Sequence, residues 1–396
     1  MFQFDAAVLG GCGHVGLPLG LVLVDHGARI VLYDVNASAV EQVAGGSMPF
    51  HEADADKLLL RALESDRLKV TSDPTLLSEA EAIVVVVGTP IDEHLNPDLF
   101  AVPDAVEAVI EYLRPGQLLI LRSTVFPGVT ALVDAVIHRH GLDIDVAFCP
   151  ERIAEGVAIA ELTQLPQIIS GCTPRAAERA DAFFRRIIGE TTRLEPQEAE
   201  LAKLFTNSWR YIKFAVANQF FMIANDYGID FDRVRDALTF NYPRALDLPR
   251  AGLAAGPCLF KDTMQLAAFN NNGFTLGHAS MIINEGLPLY LTSHFEQTHD
   301  LAGKTVGILG MAFKADSDDN RSSLSYKIKR LLRFKAGRVL CTDPYVTNDP
   351  DLVDLETVLA ESDLLVVGAP HSVYRTIVPT VPVLDVWNLF GSGVVT

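Results

Sequence analysis

The chain has 396 residues, which is enough for two or three domains of ordinary size. With 49% apolar and 21% charged residues, it has the composition of a protein that folds throughout its length. Its formal net charge of −18 argues against a general role on nucleic acids or acidic membranes, because most of the surface would repel phosphate groups. A ligand that carries phosphate must therefore be held by local groups.

The five cysteines are widely spaced and include no CxxC pair, so the sequence predicts neither a disulfide framework nor a metal site and fits a reducing cytoplasm. Residues 6–24 carry no Asp, Glu, Lys or Arg and are long enough to resemble a membrane span or a signal sequence. Five glycines and Pro18 interrupt this run, and no basic segment precedes it. We therefore expect a strand, a Gly-rich turn and a helix, with the protein beginning at its first strand.

Apolar runs alternate with helix-patterned segments as far as about residue 190, which is typical of βαβ units and a parallel sheet. The runs are apolar at nearly every position, as expected for strands covered on both faces. The strand candidates are AAVLG, RIVLYD, AIVVVVGTP, LLILRST and VAFCPE.

A G-x-G-x-x-G sequence follows the first of these strands; its residues are Gly11, Cys12, Gly13, His14, Val15 and Gly16. Such glycines permit a tight turn, a close approach of the backbone to a pyrophosphate and close packing of helix and strand. Asp34 closes the second strand, where a carboxylate can accept hydrogen bonds from the adenosine ribose and would repel a 2′-phosphate. Residues 1–195 are therefore predicted to be a Rossmann domain that binds NAD; the alternative is a structural turn beside a solvated Asp.

Three other strand ends carry polar residues, and ligands of open α/β sheets lie beyond such ends. Thr89 and Thr124 follow two of them and are candidate cofactor contacts, with a turn or helix cap as the alternative for each. Glu151 and Glu155 follow the third. If their segment is helical, both carboxylates share a face and are candidate acid/base groups; the alternative is a solvated acidic turn.

From about residue 196 to 300 helical periodicity replaces the strand runs, and EAELAKLFTNSWRYIKFAVANQFFMIANDYG is predicted to be one long helix ending near Gly228. Lys203 and Asn207 lie one turn apart on it, amid apolar residues. A lysine on a buried face needs a partner or a shifted protonation equilibrium, and either condition suits proton transfer. The alternative is a lysine at the surface.

Cys258 lies in AAGPCLFKDT, where Lys261 and Asp262 follow it. A thiol beside a cation, with a Gly-Pro turn leaving room for a substrate carbon, is a candidate nucleophile, and burial as a packing residue is the alternative. The remaining cysteines lie in or beside strands or helix starts and are expected to pack as small apolar groups. They are Cys12, Cys149, Cys172 and Cys341.

After about residue 303 the alternating pattern returns, and VGILGMAFK, VLCTDPY and LLVVGAP correspond to AVLGGCGHVG, VLYDVN and VVVVGTP. This repeat predicts a second, smaller doubly wound domain. The predicted fold class is therefore α/β, with two Rossmann-like doubly wound parallel-sheet domains, residues 1–195 and 301–396, joined by a central helical domain, residues 196–300, that contains a long connecting helix.

These motifs, in this order, resemble the UDP-glucose/GDP-mannose dehydrogenase family of nucleotide-sugar 6-dehydrogenases. The resemblance spans nearly the whole chain through GCGHVGLPLG, VVVVGTP, RSTVFPGVT, CPERIAEG, ELAKLFTNSWR, GPCLFKDT, GILGMAFKADSDDNRSS and TDPYV. It implies a four-electron oxidation of a sugar C6 alcohol to the carboxylate with reduction of two NAD. It also implies a small-molecule nucleotide-sugar substrate, held by the C-terminal domain, and a homodimer formed through the long helix.

The resemblance also assigns roles to the candidate residues. Cys258 would trap the C6 aldehyde as a thiohemiacetal, which a second hydride transfer converts to a thioester that water hydrolyses. The groups that would hold the water or alkoxide and move protons during oxidation are Thr124, Lys203, Asn207 and Asp262. Glu151 and Glu155 match the positions associated with acid/base work and thioester hydrolysis. Lys314 would contact the nucleotide diphosphate, Lys261 would lie beside the substrate, and Arg244 matches an arginine that reaches the sugar from a neighbouring subunit.

Departures from the family pattern leave the sugar open. His14 stands where the family usually has Tyr, the CPER segment is similar to that of N-acetylhexosamine enzymes, and CLFKD is similar to that of UDP-glucose enzymes. UDP-N-acetylhexosamines (ManNAc or GlcNAc) and UDP-glucose are the leading substrates, with GDP-mannose third. A single-step β-hydroxyacid dehydrogenase or an NAD-sensing protein would have no use for Cys258 and its neighbours together.

Overall fold

A computed structural model describes residues 2–92 and 94–391 of the chain. The protein divides into two compact units, Met1–Thr206 and Asn207–Thr396, and the boundary falls inside one long helix. The three-domain division into residues 1–195, 196–300 and 301–396 stays a prediction.

The first unit is built on an eight-stranded sheet. Its strands are β1 (Phe4–Leu9), β2 (Ile30–Tyr33), β3 (Leu68–Thr71), β4 (Ala80–Val85), β5 (Leu118–Leu121), β6 (Asp145–Phe148), β7 (Gln167–Gly171) and β8 (Thr191–Arg193). They lie in the order β3-β2-β1-β4-β5-β6-β7-β8, and every neighbouring pair is parallel except β6 and β7. The strand order reverses at β1, and this is the place in the sheet where ligands of doubly wound folds bind.

Helices cover both faces of this sheet, which is why its strands are apolar at successive positions. On β1, Ala6 and Val8 belong to one buried cluster, and Ala7 and Leu9 belong to the other. The helices are α1 (Gly16–Asp25), α2 (Ala37–Ala44), α3 (Ala55–Glu64), α4 (Ala101–Glu107), α5 (Val129–Arg139), α6 (Ala158–Gln164) and α7 (Pro174–Phe184), with 3₁₀ turns at Pro74–Glu79 and Ile110–Tyr112. The run at residues 6–24 is thus a strand, a turn and a helix, as the sequence predicted.

All five predicted strand runs contain a strand, whereas β3, β7 and β8 were missed. The reason is their position in the sheet. β3 and β8 are its two edges and carry exposed residues, and β7 (QIISG) pairs with β8 on one side and runs antiparallel to β6 on the other. Strands of this kind do not need the continuous apolar run that marks a central parallel strand.

The long helix α8 (Pro196–Asp226, 31 residues) confirms the single helix predicted over this stretch. In the second unit it is followed by α9 (Phe231–Thr239), α10 (Leu259–Phe269) and α11 (Thr275–Thr298). A four-stranded parallel sheet then forms in the order β10-β9-β11-β12. Its elements are β9 (Thr305–Leu309), α12 (Ser325–Arg333), β10 (Arg338–Thr342), α13 (Leu355–Glu361), β11 (Leu364–Val367), a 3₁₀ turn at Ser372–Thr376, and β12 (Val383–Leu384).

These observations confirm the predicted fold class: a Rossmann-like sheet, a helical region and a second, smaller parallel sheet. Within the described residues, no helix combines the length and the apolar character that crossing a bilayer requires.

Candidate active site

The Gly-rich turn after β1 has the geometry of a nucleotide-binding turn. A Cβ atom added to Gly11 would lie 2.8 Å from the Leu32 Cα atom, and one added to Gly16 would lie 2.3 Å from the Gly10 carbonyl oxygen. These two glycines are therefore required by packing. A Cβ at Gly13 would meet nothing closer than the Gly10 oxygen at 3.7 Å, which leaves the room beside Gly13 that a pyrophosphate needs.

The Asp34 carboxylate lies against this turn at the end of β2. Its Oδ2 atom accepts the Cys12 N–H at 3.0 Å, and its Oδ1 atom accepts the Asn36 N–H at 3.0 Å. Each carboxylate oxygen can accept more than one hydrogen bond, so both keep capacity for ribose hydroxyls. His14 stacks on Phe50 at 4.0 Å between ring centres, and Val15 precedes α1 without a side-chain cap. At the start of α1, the Leu17 N–H donates to the Gly13 carbonyl at 3.0 Å.

A serine links the two loops that carry the candidate threonines. The Ser123 hydroxyl donates to the Val87 carbonyl at 2.8 Å and accepts the Val87 N–H at 2.8 Å. Thr89 is buried and Thr124 is half-buried on these loops. The residue that caps α5 is Gly128, so Thr124 is not the cap of that helix.

The segment that carries Glu151 and Glu155 is not helical, because α6 begins only at Ala158. The condition under which the two carboxylates would share a helix face is therefore not met. Side chains bind the backbone N–H groups that a helix would use: Glu161 accepts the Ala154 N–H at 2.6 Å, and Glu52 accepts the Gly156 N–H at 2.7 Å. Glu155, next to Gly156, is half-buried.

Glu151 is instead brought to Lys203, and the Glu151 Oε2 atom lies 3.7 Å from the Lys203 Nζ atom. The two side chains are 12% and 7% exposed. Lys203 is therefore buried on α8 and not at the surface, and Glu151 is its charged partner. A nearly buried ammonium–carboxylate pair can hold or pass a proton with little competition from solvent.

In the second unit, Asn207, Asp262 and Lys261 come together. The Asn207 Nδ2 atom donates to the Asp262 Oδ2 atom at 2.5 Å, and both residues are buried. The Lys261 Nζ atom lies 3.2 Å from the Asp262 Oδ1 atom. Cys258 is exposed and stands directly before α10, one turn ahead of Asp262, whose N–H donates to the Cys258 carbonyl at 2.9 Å. The positive end of the helix dipole favours an anionic sulfur at this position.

The other cysteines pack as the sequence predicted. Cys12, Cys149 and Cys341 are buried, and Cys172 is half-buried against an apolar cluster. Burial raises the pKa of Cys12, Cys149 and Cys172 to about 12 and that of Cys341 to about 11. These thiols are therefore protonated and inert near neutral pH. Cys258 differs from them in its exposure.

Two predicted substrate contacts lie on loops of the second unit. Lys314 is half-buried in the turn after β9, with its Nζ atom 5.9 Å from the Phe313 ring centre. Arg244 is exposed, with its guanidinium 5.7 Å from the Tyr242 ring centre. Arg244 is therefore open to solvent, and Lys314 is partly so.

The sequence prediction missed Asp343, although VLCTDPY had already been matched to the VLYDVN segment that carries Asp34. Each aspartate directly follows the second strand of its sheet. Asp343 Oδ2 accepts the N–H groups of Met311 and Ala312 at 2.6 and 2.9 Å and lies 3.0 Å from His371 Nε2, while Asp343 Oδ1 accepts the Tyr345 N–H at 2.9 Å. Burial opposes the ionisation of Asp343, but the hydrogen bond and charge of His371, together with the Tyr345 and Ala312 N–H groups, outweigh it and lower the pKa of Asp343 to about 2.

A Gly-rich turn after the first strand and an aspartate after the second, on a doubly wound sheet, are characteristic of a dinucleotide-binding protein. Three models of one family match the chain: the NAD binding domain at residues 6–188, the central domain at 197–285 and the UDP binding domain at 307–392. The chain belongs to the UDP-glucose/GDP-mannose dehydrogenase family.

Relatives cover the chain almost completely. A UDP-N-acetyl-D-mannosamine dehydrogenase of Yersinia pestis is 29% identical, over 95% of this chain and 96% of that protein. The structure of a UDP-D-ManNAc dehydrogenase from Pyrococcus horikoshii matches with a TM-score of 0.87 at 28% identity, over 94% of this chain and 90% of that one. A UDP-glucose dehydrogenase from Pyrobaculum islandicum matches with a TM-score of 0.90 at 28% identity, over 96% and 94%.

The Asp34 carboxylate gives a direct test of the cofactor site. We expect Asp34→Ser to raise the KM for NAD about 10-fold, because hydrogen bonds from the ribose to a charged acceptor are lost, and to reduce the preference for NAD over NADP. Initial rates with each cofactor measure both effects. Asp5→Ser is the control, since Asp5 accepts the Arg29 N–H at the opposite end of the sheet. An unchanged KM in Asp34→Ser would contradict the assignment.

Proposed function

We propose that this enzyme oxidises the C6 alcohol of a UDP-sugar to the uronic acid, using two NAD and a covalent intermediate on Cys258. The observation that carries the proposal is the exposure of Cys258 at the start of α10, one turn before Asp262 of the buried Asn207–Asp262 pair. The family supports the substrate class, since its models include an NAD binding domain and a UDP binding domain.

The proposed two-step oxidation requires the Cys258 thiol. The first oxidation converts the C6 alcohol to an aldehyde, and NAD, when bound, accepts the hydride. The Cys258 sulfur then adds to the aldehyde carbon and forms a thiohemiacetal, so that the aldehyde stays on the enzyme. Loss of a second hydride from that carbon gives a thioester, and water cleaves it to release the carboxylate and restore the thiol. The balance is two hydrides transferred and one water consumed for each sugar.

We infer the groups that transfer protons from the side-chain pairs in each unit, Lys203–Glu151 and Asn207–Asp262. We assign Lys203 and Glu151 to hold and pass protons as a nearly buried pair, with Thr124 and Glu155 as further contacts to water. We assign Asn207 and Asp262 to hold the water or alkoxide, because their hydrogen bond fixes both side chains. The groups assigned to the substrate are Lys203, Asn207, Arg244, Lys261 and Lys314.

We propose a UDP-N-acetylhexosamine, with UDP-ManNAc foremost, as the sugar nucleotide. The support is the Yersinia pestis and Pyrococcus horikoshii relatives, whose names state that substrate, and the CPER segment. UDP-glucose is the second candidate, because the Pyrobaculum islandicum enzyme named for it matches this fold with a TM-score of 0.90.

We also propose that the chain forms a homodimer through α8. A row of apolar side chains on this helix is exposed, and their spacing places them on one face. Its members on the helix are Trp209, Val216, Phe220 and Ile223, and Tyr227 follows directly after the helix ends at Asp226; their exposed fractions lie between 39% and 79%. A continuous exposed apolar face of this kind is typical of an interface between subunits.

Charged substitutions on this face should separate the subunits. We expect Phe220→Glu combined with Ile223→Glu to give a monomer in light scattering at micromolar concentration, where the wild type is a dimer, because two carboxylates would lose their hydration in the interface. Leu60→Glu is the control: Leu60 is 50% exposed on α3 of the first unit and should leave the dimer intact. A monomeric wild type would refute this interface.

The stoichiometry of the reaction tests the proposed function. With UDP-ManNAc, UDP-GlcNAc, UDP-glucose and GDP-mannose offered in turn, we expect two NADH for each sugar nucleotide consumed and a uronic acid as product, with UDP-ManNAc giving the highest kcat/KM. Absorbance at the NADH band and mass spectrometry of the product measure both. One NADH with an aldehyde as product would instead support a single-step dehydrogenase, and binding of NAD without turnover would support a sensor.

Two serine variants serve as a matched pair for that experiment. Cys258→Ser should bind NAD normally and form no acid, because a serine hydroxyl at neutral pH is a far weaker nucleophile than a thiolate. Cys172→Ser, at the half-buried cysteine, should keep the full stoichiometry. Acid formation at the wild-type rate by Cys258→Ser would refute the role of the thiol.

A further inference from the structure

Arg122, at the end of β5, is a buried cation whose hydrogen bonds go to neutral groups. Its side chain is 2% exposed, and its Nη1 atom donates to the Cys149 carbonyl at 3.2 Å and to the Gln167 Oε1 atom at 3.0 Å. The guanidinium lies 5.1 Å from the Phe184 ring centre. Burial lowers the pKa of Arg122, and the negative charge of Glu151 opposes this shift. Burial of a cation costs free energy, so a neutral side chain would serve packing alone better.

Gln167 extends the contact made by Arg122. It is 4% exposed at the start of β7, and its Nε2 atom donates to the Pro150 carbonyl at 2.9 Å and to the Ile168 carbonyl at 2.9 Å. Arg122 and Gln167 therefore bind the carbonyls of two consecutive residues, Cys149 and Pro150. These are the last two residues before Glu151.

Glu151 depends on such contacts because no regular element holds it. β6 ends at Phe148 and α6 begins at Ala158. The Cys149 N–H still donates to the Leu121 carbonyl at 2.9 Å, and beyond it side chains bind the backbone on either side of Glu151. Among the described residues, Glu151 Oε1 is buried and has no hydrogen-bond partner, while Oε2 faces Lys203 at 3.7 Å. A small shift of the Cys149 and Pro150 carbonyls would move this carboxylate relative to the lysine.

We propose that Arg122 and Gln167 are positioning residues that place the Glu151 carboxylate beside Lys203 by holding the Cys149 and Pro150 carbonyls. This inference rests on the proposed function, in which Glu151 takes part in proton transfer. Arg122 and Gln167 touch neither sugar nor cofactor in this scheme, and they act only through Glu151.

The test is a double-mutant cycle on kcat. We expect Arg122→Met and Gln167→Met each to lower kcat about 10- to 100-fold, as misplacement of a reacting group does, with the KM for NAD changed less than about 2-fold. In a Glu151→Gln background, each substitution should change kcat by less than about 3-fold, because the carboxylate through which it acts is absent. Thermal melting followed by circular dichroism shows which variants fold. If Arg122→Met does not fold, the double-mutant cycle is measured with Gln167→Met and Glu151→Gln alone.

Gln117 offers a matched control at the other end of β5. It is fully buried, and its Nε2 atom donates to the Leu77 carbonyl at 2.8 Å and the Ala80 carbonyl at 2.7 Å, in the same manner as Gln167. Gln117→Met should lower the melting temperature and leave kcat unchanged. The proposal is overturned if Gln117→Met lowers kcat as much as Gln167→Met, or if the losses add in full to that of Glu151→Gln. Two NADH per sugar from the wild type would leave the proposed function standing in either case.

Discussion

The strands of a parallel sheet all have their carboxyl ends on the same side. The backbone groups of the loops beyond these ends have no neighbouring strand to pair with. In the first unit, side chains supply the missing partners: Asp34 binds the Cys12 N–H, Ser123 binds both backbone groups of Val87, and Arg122 binds the Cys149 carbonyl. Buried backbone groups must be satisfied, so these contacts fix the loops. The candidate residues of the first unit that follow its strands, among them His14, Thr89, Thr124 and Glu151, lie on these loops.

The two sheets share one arrangement, in which an aspartate binds a turn, but the two aspartates differ in their other partners. Asp34 and Asp343 each follow the second strand of a sheet and bind the turn after the first. Asp34 accepts one hydrogen bond on each oxygen from the described backbone and keeps capacity for a ribose. Asp343 accepts two turn N–H groups and faces His371 as well, which occupies the carboxylate within the protein. Asp343 therefore has less capacity than Asp34 to accept hydrogen bonds from a ribose, in keeping with the match of this region to a UDP binding domain.

The sequence alone predicted those strands and helices that one physical pattern identifies. Central strands appear as continuous apolar runs, and α8 appears as helical periodicity without a break. Edge strands such as β8 carry no such mark. The sequence did not decide whether the Glu151 segment is helical. Its backbone is held by residues distant in the chain, including Glu52 and Gln167. The Lys203–Glu151 pair and the contacts of Arg122 depend on the same long-range placement, which spacing along the chain does not encode.

We propose that Cys258 carries the sugar between two oxidations, and trapping the intermediate on this thiol tests that role. The Glu151→Gln variant, in which hydrolysis should be slow, is mixed with UDP-ManNAc and NAD, quenched in acid within one turnover and digested for mass spectrometry. We expect the Cys258 peptide to gain the mass of the sugar nucleotide less four hydrogens, as a thioester requires. An unmodified Cys258 peptide together with aldehyde in solution, or the same adduct on another cysteine, would rule out this role of Cys258.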